Sequence, residues 1–176
     1  MSFSTDMSGL NLDFLGIAEG RVYNQPVKVQ TLLGSCVAVT LHCRACGAGG
    51  IFHGLLPRRA DFTSDGQDMS PYRFVDTGVE VLSAAMSREG ADLNGLEAKV
   101  FGGAGTLAQE KIGVGLKNVR AALDTLSRLG IRVSAVNVGG RIGRKLLFLP
   151  HSGEVYVKKL PVQHGGLPPE CRLDAS

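Results

Sequence analysis

An α/β fold of the α+β kind, with a mixed, largely antiparallel sheet and two main helices, is predicted by three features of the sequence. Two Gly-containing turns, at residues 43–50 and 150–153, each sit between strand-like runs, and hairpins of this kind pair their strands antiparallel. Two longer segments carry apolar residues at helical spacing and end on glycine, the pattern of amphipathic helices with C-terminal caps. Short apolar runs of strand length separate those two segments, so helices and strands share one core.

Residues 1–20 mix Ser, Asp and Gly and read as a loosely held lead-in. An extended run begins at Val27, after Pro26. Val37, Val39 and Leu41 then alternate with Ala38, Thr40 and His42, the period of two that a strand imposes. Residues 43–50 are small and Gly-rich and read as a hairpin turn; residues 51–56 return as the second arm, ended by Pro57. The polar stretch 58–71 reads as a surface loop. Over residues 72–89, Val75, Val79, Leu82, Ala85 and Met86 share one helical face, with Gly90 as C-cap,. Residues 96–101 form a strand that runs into Gly102-Gly103-Ala104-Gly105. The second helix spans 115–129, with Leu116, Val119, Leu123, Leu126 and Leu129 on one stripe and Gly130 closing it. Residues 131–138 form a strand that stops at Gly139-Gly140, and the runs 145–149 and 154–160 flank the turn Pro150-His151-Ser152-Gly153. The tail from Pro161 is rich in Pro and Gly and reads as irregular. Together these make about seven strands and two helices. With no internal repeat or linker, they form a single domain over residues 1–176 whose core spans about 20–160,.

The chain has 176 residues, of which 44% are hydrophobic, enough for one core,. It has no Trp and only 6% aromatic residues, so that core is built from Val, Leu, Ile and Ala. The net charge of +3 is small, the basic residues are scattered, and no aromatic platform accompanies them. Nucleic acid is therefore excluded as a partner. No apolar run approaches the roughly 18 residues of a membrane helix, so no direct membrane insertion is expected. Residues 1–16 lack a basic segment ahead of their apolar residues, which argues against a signal peptide and for a cytoplasmic location. In that reducing setting Cys36, Cys43, Cys46 and Cys171 are expected as thiols rather than a disulfide framework,.

The chemistry concentrates on Cys36, in Thr31-Leu32-Leu33-Gly34-Ser35-Cys36, and His53, in Gly49-Gly50-Ile51-Phe52-His53. On the hairpin reading, Cys36 begins one arm and His53 lies within the other. A thiol is mostly protonated at neutral pH, and a histidine within hydrogen-bond reach can take the proton and leave a nucleophilic thiolate. A third group commonly orients the imidazole, and the hydroxyl of Thr31 is a candidate. Gly34 and Ser35 would let substrate approach the sulfur closely. The backbone N–H of Cys36 is a candidate oxyanion donor. Taken alone, such a pair is more often a small buried hydrophobe and a satisfied core histidine.

The same residues carry a resemblance. Thr31-Leu-Leu-Gly-Ser-Cys36-Val-Ala-Val and Gly49-Gly50-x-x-His53-x-x-Leu56-Pro57 resemble the signature of the CheD family of chemoreceptor glutamine deamidases. The likeness continues through Ala98-Lys-Val-Phe101-Gly-Gly-Ala104, Ile112-Gly113, Asn118-Val119, Gly139-Gly140, Gly143-Arg144-Lys145 and Val157-Lys158-Lys159-Leu160. It spans roughly residues 20–160. It implies a protein-glutamine glutaminase, a cysteine hydrolase, with Cys36 as nucleophile, His53 as general base and Thr31 as orienting group. Gly34, Ser35, Phe101, Gly102 and Gly103 become candidates for the oxyanion hole or substrate cleft. No cofactor and no metal is expected. The implied substrates are glutamine side chains on the cytoplasmic helices of methyl-accepting chemoreceptors, converted to glutamate through a thioester so as to tune chemotaxis signalling. The implied partner is a CheC-type CheY-phosphate phosphatase, and the chain on its own is expected to be a monomer. The implied fold is a layered α/β sandwich. The alternative is mainly a binding regulator that stimulates the phosphatase. A cysteine peptidase is the weaker third reading.

Other local signals have plainer readings. His42-Cys43-Arg44-Ala45-Cys46 contains one C-x-x-C with no second pair, so a turn carrying two thiols is favoured over a zinc site. Gly102-Gly103-Ala104-Gly105 lacks the spacing of a nucleotide-binding loop and reads as a tight turn at the cleft. Arg141, Arg144 and Lys145 form a small basic cluster. Solvated charge is the favoured reading there over a contact for acidic residues flanking the substrate glutamine.

Overall fold

The computed structural model describes residues 7–62, 70–105 and 113–161. In chain order these form β1 (Leu12–Phe14), β2 (Gly20–Tyr23), β3 (Lys28–Leu33), β4 (Val37–Cys43), β5 (Ala48–Gly54), α1 (Val75–Arg88), β6 (Leu96–Gly102), α2 (Val114–Arg128), β7 (Arg132–Val138), β8 (Arg144–Leu149) and β9 (Glu154–Lys159). Five strands make one sheet in the order β2-β5-β4-β6-β7, and four make a second in the order β1-β3-β8-β9. Each sheet is mixed and mainly antiparallel. Only β6–β7 and β1–β3 run parallel. The first of these is a crossover through α2, as parallel neighbours require.

The expected single sheet is thus two, stacked, with the helices on the outer face of the larger one. The burial of its central strands explains why. Every residue of β5, and all but His42 of β4, is buried, so each face of that sheet needs a cover. Val37, Val39 and Leu41 point one way, into a core with Val75, Val79, Leu82 and Met86 of α1 and Val119 and Leu126 of α2. Cys36, Ala38, Ile51 and Phe101 point the other way, against Val29 and Leu33 of β3 and Leu146 and Phe148 of β8. The alternation read over residues 37–42 is this division between two apolar layers rather than between core and water.

Four local expectations are corrected. The lead-in enters the fold: β1 pairs with β3 and Leu15 is fully buried, because an edge strand gains ladder hydrogen bonds whatever its composition. The turn read over 43–50 is shorter, since β5 begins at Ala48 and places Gly49 and Gly50 inside the strand. A Cβ on Gly50 would lie 2.9 Å from Leu82 of α1, so that glycine serves close approach. The first helix begins at Val75, after a separate 3-10 turn at Pro71–Arg73. Leu116, placed on the buried stripe of the second helix, is 48% exposed. The irregular tail beyond residue 161 lies outside the described residues.

The cysteine expectation is also corrected. Cys43 and Cys46 are joined in a disulfide across the β4–β5 turn, and of the described cysteines Cys36 alone is free. Ending β4 and tightening the turn bring the two Cα atoms within 5.6 Å, a separation a disulfide spans. Among the described residues no cluster of three or more His, Cys, Asp or Glu is placed to hold a metal, and no helix is long and apolar enough to cross a membrane.

Candidate active site

The β4–β5 register pairs Val37 with Gly54 and Ala38 with His53. Cys36, one residue before β4, therefore lies diagonally across from His53. Period-two alternation puts both side chains on the face turned toward the second sheet. Diagonal neighbours on one face are about 7–8 Å apart at the backbone, closer at the side chains. Cys36 is 8% exposed and His53 2%.

The third side chain comes from the other sheet. Thr31 of β3 is fully buried and its Oγ1 lies 2.9 Å from His53 Nδ1. The same hydroxyl donates to the Leu15 carbonyl at 2.8 Å. A carbonyl only accepts, and a threonine hydroxyl has one proton to give. With that proton committed to Leu15, Thr31 must accept from Nδ1–H of His53. The tautomer follows: Nε2 carries the lone pair, and it is buried with no partner among the described residues. The lead-in also frames the imidazole through its backbone, since Ala18 N–H donates to the His53 carbonyl and His53 N–H to the Glu19 carbonyl, each at 2.9 Å.

Burial favours the neutral form of both Cys36 and His53. Desolvation pulls His53 down from 6.5 to about 4. Burial pushes the Cys36 thiol up, and its own backbone N–H, turned toward the sulfur, works in the opposite direction. Both shifts favour a thiol and a neutral imidazole at neutral pH, with Nε2 unpartnered among the described residues.

A stability prediction follows. The unfolded chain protonates His53 near 6.5 and the folded chain only near 4, so between those values the unfolded state binds more protons. Stability should fall as pH drops through that window, by up to about 3 kcal/mol. In urea titrations at pH 7 and pH 4.5, His53→Gln should show a smaller loss than the parent. Equal losses would show that His53 does not carry this linkage.

The loop before Cys36 is held from two sides. Gly103 N–H donates to the Cys36 carbonyl at 2.8 Å and Ala104 N–H to the Gly34 carbonyl at 2.9 Å. On the other side Asn118 of α2 donates through Nδ2 to the Ser35 carbonyl at 3.1 Å and the Leu55 carbonyl at 3.0 Å. Asn118 was noticed in the sequence only as part of a resemblance. A polar residue amid the apolar residues of a helix stripe was the signal that could have singled it out.

The remaining candidates separate. Gly34 is exposed, with open space where a Cβ would stand, and Ser35 is half-buried, so the approach to the sulfur is from their side. Phe101 is 4% exposed and packs in the core between the sheets, so it supports the site rather than lining an open cleft. The Gly103 N–H is engaged by Cys36 and is not a free oxyanion donor. Gly102, at φ 103°, passes so close to the Cys36 carbonyl that a Cβ would sit 2.2 Å from it. Arg144 is 5% exposed and donates to Asn137 Oδ1 at 2.7 Å and to the Gly139 carbonyl at 2.8 Å. It braces the end of β7 against the Gly102 carbonyl at the end of β6 and is unavailable to acidic flanks of a substrate, because its donors are spent inside the fold.

Comparison with known proteins adds an independent line. Residues 55–159 match the family model described as CheD chemotactic sensory transduction, a span that begins just after His53. The chain is 37% identical over 162 residues to a probable chemoreceptor glutamine deamidase CheD of Maridesulfovibrio salexigens, covering 88% of this chain and 95% of that protein. It is 38% identical over 169 residues to the protein of the same description in Nitratidesulfovibrio vulgaris, covering 91% and 84%. With the counterpart in Thermococcus kodakarensis it shares 40% over 131 residues, 73% of this chain and 80% of that one. Among solved structures, Neisseria meningitidis protein NMB0706 superimposes with a TM-score of 0.48 at 15% identity, over 81% of this chain and 76% of that one, too distant a likeness to add to the fold already described.

Proposed function

The chain belongs to the CheD family, and from that premise we propose that it is a protein-glutamine glutaminase acting on chemoreceptors, with Cys36 as nucleophile, His53 as general base and Thr31 as orienting group. The observation that carries the mechanism is the committed hydroxyl of Thr31. It holds Nδ1–H of His53 and so leaves the buried Nε2 with its lone pair unpartnered.

The reaction then runs in two halves. His53 Nε2 takes the thiol proton as Cys36 Sγ attacks the side-chain amide carbon, and the carbonyl oxygen becomes an oxyanion within reach of the Cys36 N–H. Collapse breaks the C–N bond, and His53 returns the proton to the leaving nitrogen, which departs as ammonia. Water, deprotonated by the same Nε2, attacks the thioester. Glutamate leaves and the thiol is restored. With Cys36 only 8% exposed, the site admits a slender carboxamide tip more readily than an extended backbone, which favours deamidation over peptide cleavage.

The substrate in this reading is a glutamine on the cytoplasmic helices of a methyl-accepting chemoreceptor, which sets the enzyme in the cytoplasm. A CheC-type phosphatase is its expected regulatory partner. Incubation with a receptor cytoplasmic fragment, mapped by mass spectrometry, should show glutamines gaining the mass of amide-to-acid conversion with the backbone intact. Cleaved backbone, or no modification, would overturn the reading. Thr31→Ala should retain a slow rate, about ten- to a hundredfold below the parent, because an orienting group helps without reacting.

A further inference from the structure

We infer that Asn118 is a positioning residue that sets the direction of the Cys36 backbone N–H, and so builds the oxyanion site from the helix behind it. This deepens the deamidase reading and rests on it for its substrate. The two hydrogens on Asn118 Nδ2 go to carbonyls from opposite halves of the site: Ser35, just before the nucleophile, and Leu55, two residues after the base. One carboxamide thereby ties the nucleophile loop to the end of the strand that carries His53.

The consequence for chemistry lies in the peptide between Ser35 and Cys36. In a trans peptide the C=O and N–H point in opposite directions, and every peptide bond described here is trans. With its carbonyl drawn to α2 by Asn118, this unit must turn the Cys36 N–H away from the helix. That is the sulfur's side, where an oxyanion formed by attack would need a donor. The Leu55–Leu56 peptide shows the same polarity, since Leu55 C=O accepts from Asn118 while Leu56 N–H donates to the Arg73 carbonyl at 3.0 Å.

Packing alone does not account for this residue. Asn118 is fully buried, and its Oδ1 has no partner among the described residues. A buried amide that leaves its acceptor unmade is a poor core residue. What the site gains from it is the pair of donors. Without them, two carbonyls beside the nucleophile lose their partners and the Ser35–Cys36 peptide is free to rotate.

The test compares two reactions at the same sulfur. Acylation by p-nitrophenyl acetate passes through an oxyanion; alkylation by iodoacetamide does not. Asn118→Ala should slow acylation by at least about tenfold while alkylation stays within about threefold. Asn118→Asp, which keeps the volume but presents oxygen to one or both carbonyls, should do the same and guards against a cavity effect. Equal loss in both reactions would mean general collapse of the loop, and unchanged acylation would mean the peptide does not need Asn118; either overturns the inference. A parent protein that is alkylated but not acylated would overturn it too. Receptor deamidation measured in parallel keeps the readings apart. A parent protein that acylates but leaves receptor glutamines untouched would sink the substrate reading, while the acylation-to-alkylation ratio still decides the role of Asn118.

Discussion

Cys36→Ala is expected to abolish receptor deamidation, by at least about 10³-fold, while the protein stays folded. The chemical half of this is direct, because alanine cannot form the thioester and no other free thiol occurs among the described residues. The structural half comes from the packing. Cys36 sits at the margin of the core between the sheets, beside Ala38 and Phe101, and losing one sulfur from such a place costs on the order of 1 kcal/mol. None of the three carbonyl contacts of its loop involves the side chain. His53→Ala should be similarly inactive. It removes a buried nitrogen that has no partner and leaves Thr31 still donating to Leu15, so the fold should tolerate it. Mass spectrometry of a receptor fragment reads the activity, and circular dichroism reads the fold. A folded Cys36→Ala protein deamidating within tenfold of the parent would remove the thioester from the mechanism.

The second large effect is expected at Gly102. Its φ of 103° lies beyond the left-handed region that other residues visit, and the Cys36 carbonyl would be 2.2 Å from an added Cβ. The backbone on both sides of the clash is tied down: the Cys36 carbonyl accepts from Gly103 N–H, and the Gly102 carbonyl accepts from Gly139 N–H, each at 2.8 Å. Gly102→Ala must therefore push the Cys36 loop away from β6 or unpair it. The expected loss is about 2–4 kcal/mol, a fall in melting temperature on the order of 10 °C for a chain of this size, together with most of the activity. Gly139→Ala is the control. Its φ is 73° with nothing within 4 Å of an added Cβ, so it should lose only about 1–2 kcal/mol. If both variants melt alike, backbone strain rather than contact with Cys36 accounts for Gly102.

These expectations draw on parts of the molecule that differed in how readable they were. The hairpin of β4 and β5 was legible because its information is local: alternation sets the face and the Gly-rich stretch sets the reversal. Both helices were legible from spacing, although the exposure of Leu116 shows that a stripe read from spacing need not be buried along its whole length. Gly49 and Gly50 misled, because the same residue type serves turns and close approach, and only the presence of Leu82 behind Gly50 distinguishes them. Arg144 misled more fully. A basic residue at a strand start reads as solvated, and its burial comes from the end of β7, where Asn137 and Gly139 accept from its guanidinium.

What the sequence by itself determined is the placement of Cys36 and His53 on the two arms of one hairpin, and, through the residues around them, membership of a family. Strand periodicity and turn chemistry act over a few residues and are written there. What only the tertiary structure decided is everything that crosses a layer. Thr31 reaches His53 from another sheet, the Leu15 carbonyl from the lead-in fixes where Thr31 gives its proton, and Asn118 reaches the loop before Cys36 from a helix. The disulfide between Cys43 and Cys46 likewise needed the turn closed in space. Periodicity states that a face is apolar but not which face it meets. The hydrogen bonds that define the tautomer of His53 form only where two such faces are stacked.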